Sequence, residues 1–136
     1  MDVRSRGIVD SLRTRPSHAG VASTASLSPA FPLAWSSERL TGTRTALVAV
    51  AGELDRTTAP ALRDHLEWWL GRGCTRIVLD TANVTFADVG AFDVLRTIGR
   101  RALARHGYVV LSPAGSAMRR MVELLGPAEG VDLAAW

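Results

Sequence analysis

The sequence predicts an α/β fold, a mixed and partly parallel sheet of about four strands covered by helices. Two observations carry this expectation. Short apolar runs rich in β-formers, at Ala46–Ala51, Arg76–Leu79 and Tyr108–Leu111, alternate with longer stretches whose apolar residues recur at helical spacing. Glycine or proline punctuates the junctions, at Gly52, Gly71, Gly107 and Gly126–Pro127. Strands joined through helices pair in parallel, because a parallel return needs a crossover. At 136 residues and 47% hydrophobic content, the chain can bury one proper core.

Residues 1 to 30 are rich in Ser, Thr, Arg, Gly and Pro, and much of this tail is expected to be disordered. Ile8, Val9 and Leu12 could seed one helical turn, marginal alone or docked on something. The domain is expected over residues 31–136. Its first strand lies near Leu33 to Ser37 and its second at Ala46 to Ala51. The first helix should begin at Thr57 or Thr58, whose hydroxyl can accept from an orphan N–H, with Pro60 in the first turn. Leu62, Leu66, Trp69 and Leu70 form its inner stripe, and Gly71 and Gly73 stop it. Trp68 beside Trp69 cannot also point fully inward, which makes it an exposed anchor or an edge packed on the tail.

The third strand, Arg76 to Leu79, stops at Asp80, and a loop leads to Asp88 at the mouth of a second helix over Gly90 to His106. Gly107 ends that helix. A fourth strand, Tyr108 to Leu111, leads to a third helix, with Ser112 as cap, Pro113 in its first turn, and Met118, Met121, Val122 and Leu125 facing inward. A lone Cys74 excludes an internal disulfide and reads as a small half-buried thiol.

Asp55 and Asp88 fall on turns at the carboxyl ends of neighbouring strands, the edge where α/β sheets present their sites. Paired carboxylates could serve acid–base work or hold a metal, but no nucleophile or histidine accompanies them. Helix capping with a partner-contact role is the favoured reading. Arg96, Arg100, Arg101 and Arg105 share most of one face of the second helix, either as a solvated face or as a docking strip for an acidic partner. His18, His65 and His106 match no metal spacing, and no phosphate-cradling glycine loop is present, so no cofactor or metal is expected.

The order VAVAGELD (Val48–Asp55), IVLD (Ile77–Asp80) and FADVGAFDVL (Phe86–Leu95) resembles the STAS family, the anti-sigma factor antagonists and their relatives. The resemblance covers roughly Leu33 to Leu133. It implies a non-enzymatic protein-binding module whose surface comprises Asp55, Thr85, Asp88, Val89, Gly90, Phe92, Asp93 and Arg96. The implied partner is an anti-sigma factor of the histidine-kinase-like ATPase type. In phosphorylation-regulated members the residue after the turn aspartate is a serine or threonine; here it is Val89, which has no hydroxyl to modify. Gly90 and Ala91 also depart from the family pattern. Thr85 and Thr97 do not sit at the acceptor position. Members often continue into a last helix, which this chain is expected to lack, and apolar surface left bare could favour a homodimer. The alternative is a STAS subunit of a scaffold or ABC-transport complex that binds an ATPase subunit or other STAS chains. An enzyme using Asp55 and Asp88 is a third reading.

Composition narrows the setting. The net charge of +3 is 16 basic minus 13 acidic residues, and Arg4, Arg6, Arg13 and Arg15 against Asp2 and Asp10 place +2 of it in the tail. A near-neutral domain argues against nucleic acid as a partner. Every basic residue is arginine, a codon signature of GC-rich bacterial genomes. No apolar run reaches the roughly 18 residues of a membrane span, and the first 20 residues lack an apolar signal core, so a cytoplasmic location is expected.

Overall fold

The apolar runs become five strands, and the longer amphipathic stretches become three helices, in a computed structural model that describes residues 32–133. The tail expected over residues 1–30, and the chain beyond Leu133, lie outside the described residues. The elements are β1 (Leu33–Arg39), β2 (Thr45–Leu54), α1 (Ala59–Gly71), β3 (Arg76–Ala87), α2 (Val89–Leu103), β4 (Tyr108–Leu111), α3 (Ser116–Leu125) and β5 (Val131–Leu133). The sheet runs β1-β2-β3-β4-β5, with β1 antiparallel to β2 and every later pair parallel. The α/β expectation holds, with a short fifth strand added.

Each crossover steps to the next strand in the same direction, and right-handed crossovers of that kind set all three helices on one face. Accordingly α1 packs on α2 and α2 on α3. The strand register delivers two apolar rows to that face: Ala46, Ile77, Val109 and Val131, then Val48, Leu79, Leu111 and Leu133. The helices fill the space above with Leu62, Leu66, Trp69 and Leu70 from α1, Ala91, Leu95, Ile98 and Ala102 from α2, and Met118 and Met121 from α3. Each large side chain buried here contributes about 1.5–3 kcal/mol relative to its exposure. Trp69 also donates its indole Nε1–H to Ser37 Oγ at 3.0 Å, which itself lies 2.7 Å from His65 Nε2, tying α1 to the edge strand. Trp68 turns outward and stacks on the His65 ring beneath the Arg72 guanidinium.

Several expectations are corrected. The third strand does not stop at Asp80: it continues to Ala87, beside a β2 that reaches Leu54 rather than ending at Gly52. Two bulges, each with one extra residue on β3, keep the ladder going. The amides displaced at the first bulge find other acceptors, Thr81 N–H on Pro113 O at 2.9 Å and Ala82 N–H on Asp80 Oδ1 at 3.1 Å. That use of the Ser112–Pro113 backbone explains the second correction. Ser112 N–H donates to Leu79 O, so these residues brace β3, and α3 starts at Ser116 behind an N-cap at Gly115.

Third, α2 ends at Leu103, and the left-handed residue beyond it is His106, with φ 62°, while Gly107 is needed because a Cβ there would lie 1.9 Å from Thr75 O. Fourth, Leu125 is 45% exposed and Val122 half-buried, so the inner stripe of α3 is narrower than its sequence suggests. Cys74 is fully rather than half buried, and burial pushes its thiol pKa up.

Candidate functional site

Two turns meet at the carboxyl end of β2 and β3. In the first, the Asp55 carboxylate accepts from the backbone N–H of Thr57 and of Thr58, both at 2.9 Å. The Thr58 hydroxyl donates to Glu53 O and accepts from Asp55 N–H. The aspartate side chain is therefore the acceptor that holds the turn into α1, three residues ahead of its N-cap Thr58, and neither threonine hydroxyl takes that role. The Thr58 N–H, chief among these donors, holds the Asp55 pKa below its ordinary value.

In the second turn, Asp88 is the N-cap of α2, its Oδ1 accepting from Gly90 N–H at 2.7 Å. Its own N–H donates to Leu54 O at 3.3 Å, crossing from β3 to the end of β2. Gly90 closes the junction. A Cβ at this position would lie 2.6 Å from Arg56 N and 2.7 Å from Asp55 C, so the two turns touch backbone to backbone. The fold thus brings Asp55 and Asp88 to one edge, both as acceptors at a helix start.

Around that junction the surface is partly apolar. Phe86 is 49% exposed, and Val89 and Phe92 are half-buried. Val89 is the first residue of α2, directly after the cap, and carries only methyl groups at that shoulder. Thr85 is exposed and donates to Gly52 O at 3.3 Å. Arg96 pairs with Asp93 at 3.0 Å, its guanidinium 5.9 Å from the centre of the Phe92 ring. Between α1 and α2 runs a groove of about 140 Å³, floored by Gly90 and Val94 and walled by Arg56, Arg63, Asp93 and Thr97.

The stretch before Asp88, expected as a loop, is not one. The chain is strand to Ala87, a single cap residue and then helix, which fixes Thr85, Asp88, Val89, Gly90 and Phe92 on rigid backbone. Phe86, Arg56 and Arg63 belong to the same edge and were not singled out in the sequence. Phe86 carried a signal in standing next to the turn motif, whereas the arginines only join the site once α1 packs beside α2.

Three arginines of the α2 face make surface ion pairs within the chain. Arg100 pairs with Glu129 at 3.5 Å, Arg101 with Glu67, and Arg96 with Asp93. Among the described residues no three His, Cys, Asp or Glu side chains converge as metal ligands, and no helix is long and apolar enough to cross a membrane.

Comparison with known proteins bears on the family and the fold. A family model described as "Mlab, STAS domain" matches residues 39–133. No curated protein matches the sequence. Among solved structures, the anti-sigma factor antagonist SpoIIAA in its unphosphorylated form superposes with a TM-score of 0.59 at 20% identity, covering 74% of this chain and 89% of that one. The phosphorylated form, from Bacillus, gives 0.56 at 20% identity over 74% and 91%. An anti-sigma factor antagonist from Mycobacterium paratuberculosis gives 0.54 at 24% identity over 71% and 85%. These likenesses establish the fold, and the family match over most of the described chain makes it a member of the STAS domain family.

Proposed function

We propose that this chain is a non-enzymatic, protein-binding regulatory module of the anti-sigma factor antagonist kind, acting in the bacterial cytoplasm. It docks an anti-sigma factor of the histidine-kinase-like ATPase type through Asp55, the segment from Thr85 to Phe92, and Asp93 and Arg96 on the early turns of α2. The observation that carries the reading is Val89, a half-buried side chain without a hydroxyl, on the shoulder of a partly apolar edge. A phosphate there would add about −1.5 to −2 charges to the docking surface and oppose the complex. With valine in place, a kinase cannot turn this module off at that position.

The test combines capture and mass. The host's kinase-like anti-sigma factor should bind the purified chain, and Val89→Asp should weaken binding by at least about tenfold, a charge being desolvated at the centre of the contact. Intact mass after incubation with that kinase and ATP should show no phosphate on residues 85–93. An adduct there would sink the proposal.

A second reading rests on one observation, that the matching family model is described as "Mlab, STAS domain" and not as an antagonist. On it, the same edge binds an ATPase subunit of a transport complex or other STAS chains, for which no phospho-switch is required. Co-purification of an ABC-type ATPase from the native host in place of a kinase-like protein would favour it.

A further inference from the structure

The face of the sheet turned away from the helices is built to be covered. Its central row, in register across all five strands, is Glu38, Leu47, Val78, Val110 and Asp132, and the next is Ser36, Ala49 and Asp80. All three helices lie on the other face, and the described chain places no element over these rows. Yet Leu47 is 8% exposed and Ser36 only 4%, and the Ser36 Oγ has no hydrogen-bond partner among the described residues. Burial also pushes the Asp80 pKa up. Sheets with parallel strands are stable when both faces are covered, and a buried hydroxyl without a partner costs about 1–3 kcal/mol.

We propose that this face is the seat of the N-terminal segment, residues 1–31, held by an amphipathic turn made of Ile8, Val9 and Leu12. Three features select it over a second copy of the chain. Its apolar residues are spaced i, i+1 and i+4, which groups them on one side of a helical turn. Reach is ample: the 20 residues from Leu12 to Pro32 can extend about 60 Å, against about 20 Å across five strands. Charge also fits. The segment carries four arginines and two aspartates, whereas the face carries Glu38, Asp80 and Asp132 with Arg76. A second copy would bring the same carboxylates against themselves. The docked segment would also supply the partner that Ser36 lacks.

The experiment uses the full chain with Cys74→Ala and Val78→Cys, so that one thiol reports on the centre of the face. Its reaction with a water-soluble thiol reagent is timed with the native tail and with Ile8→Asp/Leu12→Asp. Release of the segment should speed the reaction by at least about tenfold. Because the core substitutions could disturb folding, trypsin cleavage after Arg13 is followed in parallel in the otherwise native chain, where the same tail changes should accelerate it by at least about tenfold. Rates within twofold of each other in both measurements overturn the proposal. Slow thiol reaction with either tail, together with a dimer mass by sedimentation, would overturn it in favour of a second copy.

Discussion

Replacing Gly90 by alanine tests whether the two turns of the site really abut. An added Cβ would sit 2.6, 2.7 and 2.8 Å from Arg56 N, Asp55 C and Arg56 Cα, where ordinary contact begins at 3.4 Å. All three are backbone atoms, so one turn must retreat by 3.4 − 2.6 = 0.8 Å at the nearest atom. That movement pulls on the Asp88 N–H to Leu54 O bond, already 3.3 Å long. Overpacking of this kind costs about 1–3 kcal/mol, and loss of the bond about 0.5–1.5. Alanine returns up to about 1 kcal/mol through its better helix propensity. The expected net is a destabilisation of about 1–3 kcal/mol in urea unfolding followed by circular dichroism, with weaker partner binding because the docking edge opens. Gly71→Ala is the control: no atom lies within 4 Å of its Cβ, and it should be neutral or slightly stabilising. A Gly90→Ala protein at least as stable as wild type would mean the turns do not touch as described.

Three further outcomes follow from the same structure. The Asp55 pKa is lowered by folding, so its carboxylate stabilises the native state above the ordinary value of 3.8, and that contribution fades as pH falls through the depressed folded value. Asp55→Asn should therefore melt below wild type at pH 7, with the gap closing only in acid below the ordinary value; a gap that is constant with pH would contradict the assignment. Phe86→Ala, at a residue 49% exposed, should change stability by less than about 1 kcal/mol yet weaken partner binding by more than about fivefold, measured by calorimetry. Met118→Ala should cost about 2–5 kcal/mol in denaturant because its side chain is fully buried, while Leu125→Ser on the same helix should stay within about 0.5.

What the sequence could and could not reveal divides along physical lines. Periodicity located α1 and its buried stripe, because Leu62, Leu66, Trp69 and Leu70 lie on one side of a helix whatever surrounds it. It also separated Trp68 from Trp69, since adjacent helical positions diverge by about 100°. The far half of β3 was hidden because its alternation is broken by two bulges, whose stray amides are satisfied by residues distant in sequence, such as Pro113. For the same reason Ser112 looked like a helix cap when its backbone is held by Leu79. At the site, Asp55 and Asp88 were legible as acceptors at helix starts from local spacing alone. The groove arginines were not, because Arg56 and Arg63 meet Gly90 only through the packing of α1 on α2.

The two carboxylates that draw attention in the sequence are the wrong probes for recognition. One oxygen of Asp55 holds two backbone N–H groups, and one oxygen of Asp88 holds Gly90 N–H. Removing either loosens a helix start before it removes any contact with a partner, and a loss of binding would then report the turn and not the interface. Phe86 and Val89 have no such duty: one is an exposed ring at the end of a strand, the other the first residue of a helix already capped by its neighbour. Because their truncation leaves the backbone network intact, a change in affinity at these two positions belongs to the docking surface itself. On the proposed reading, Asp55 and Asp88 set where the docking surface stands, and the apolar shoulder supplies its contact.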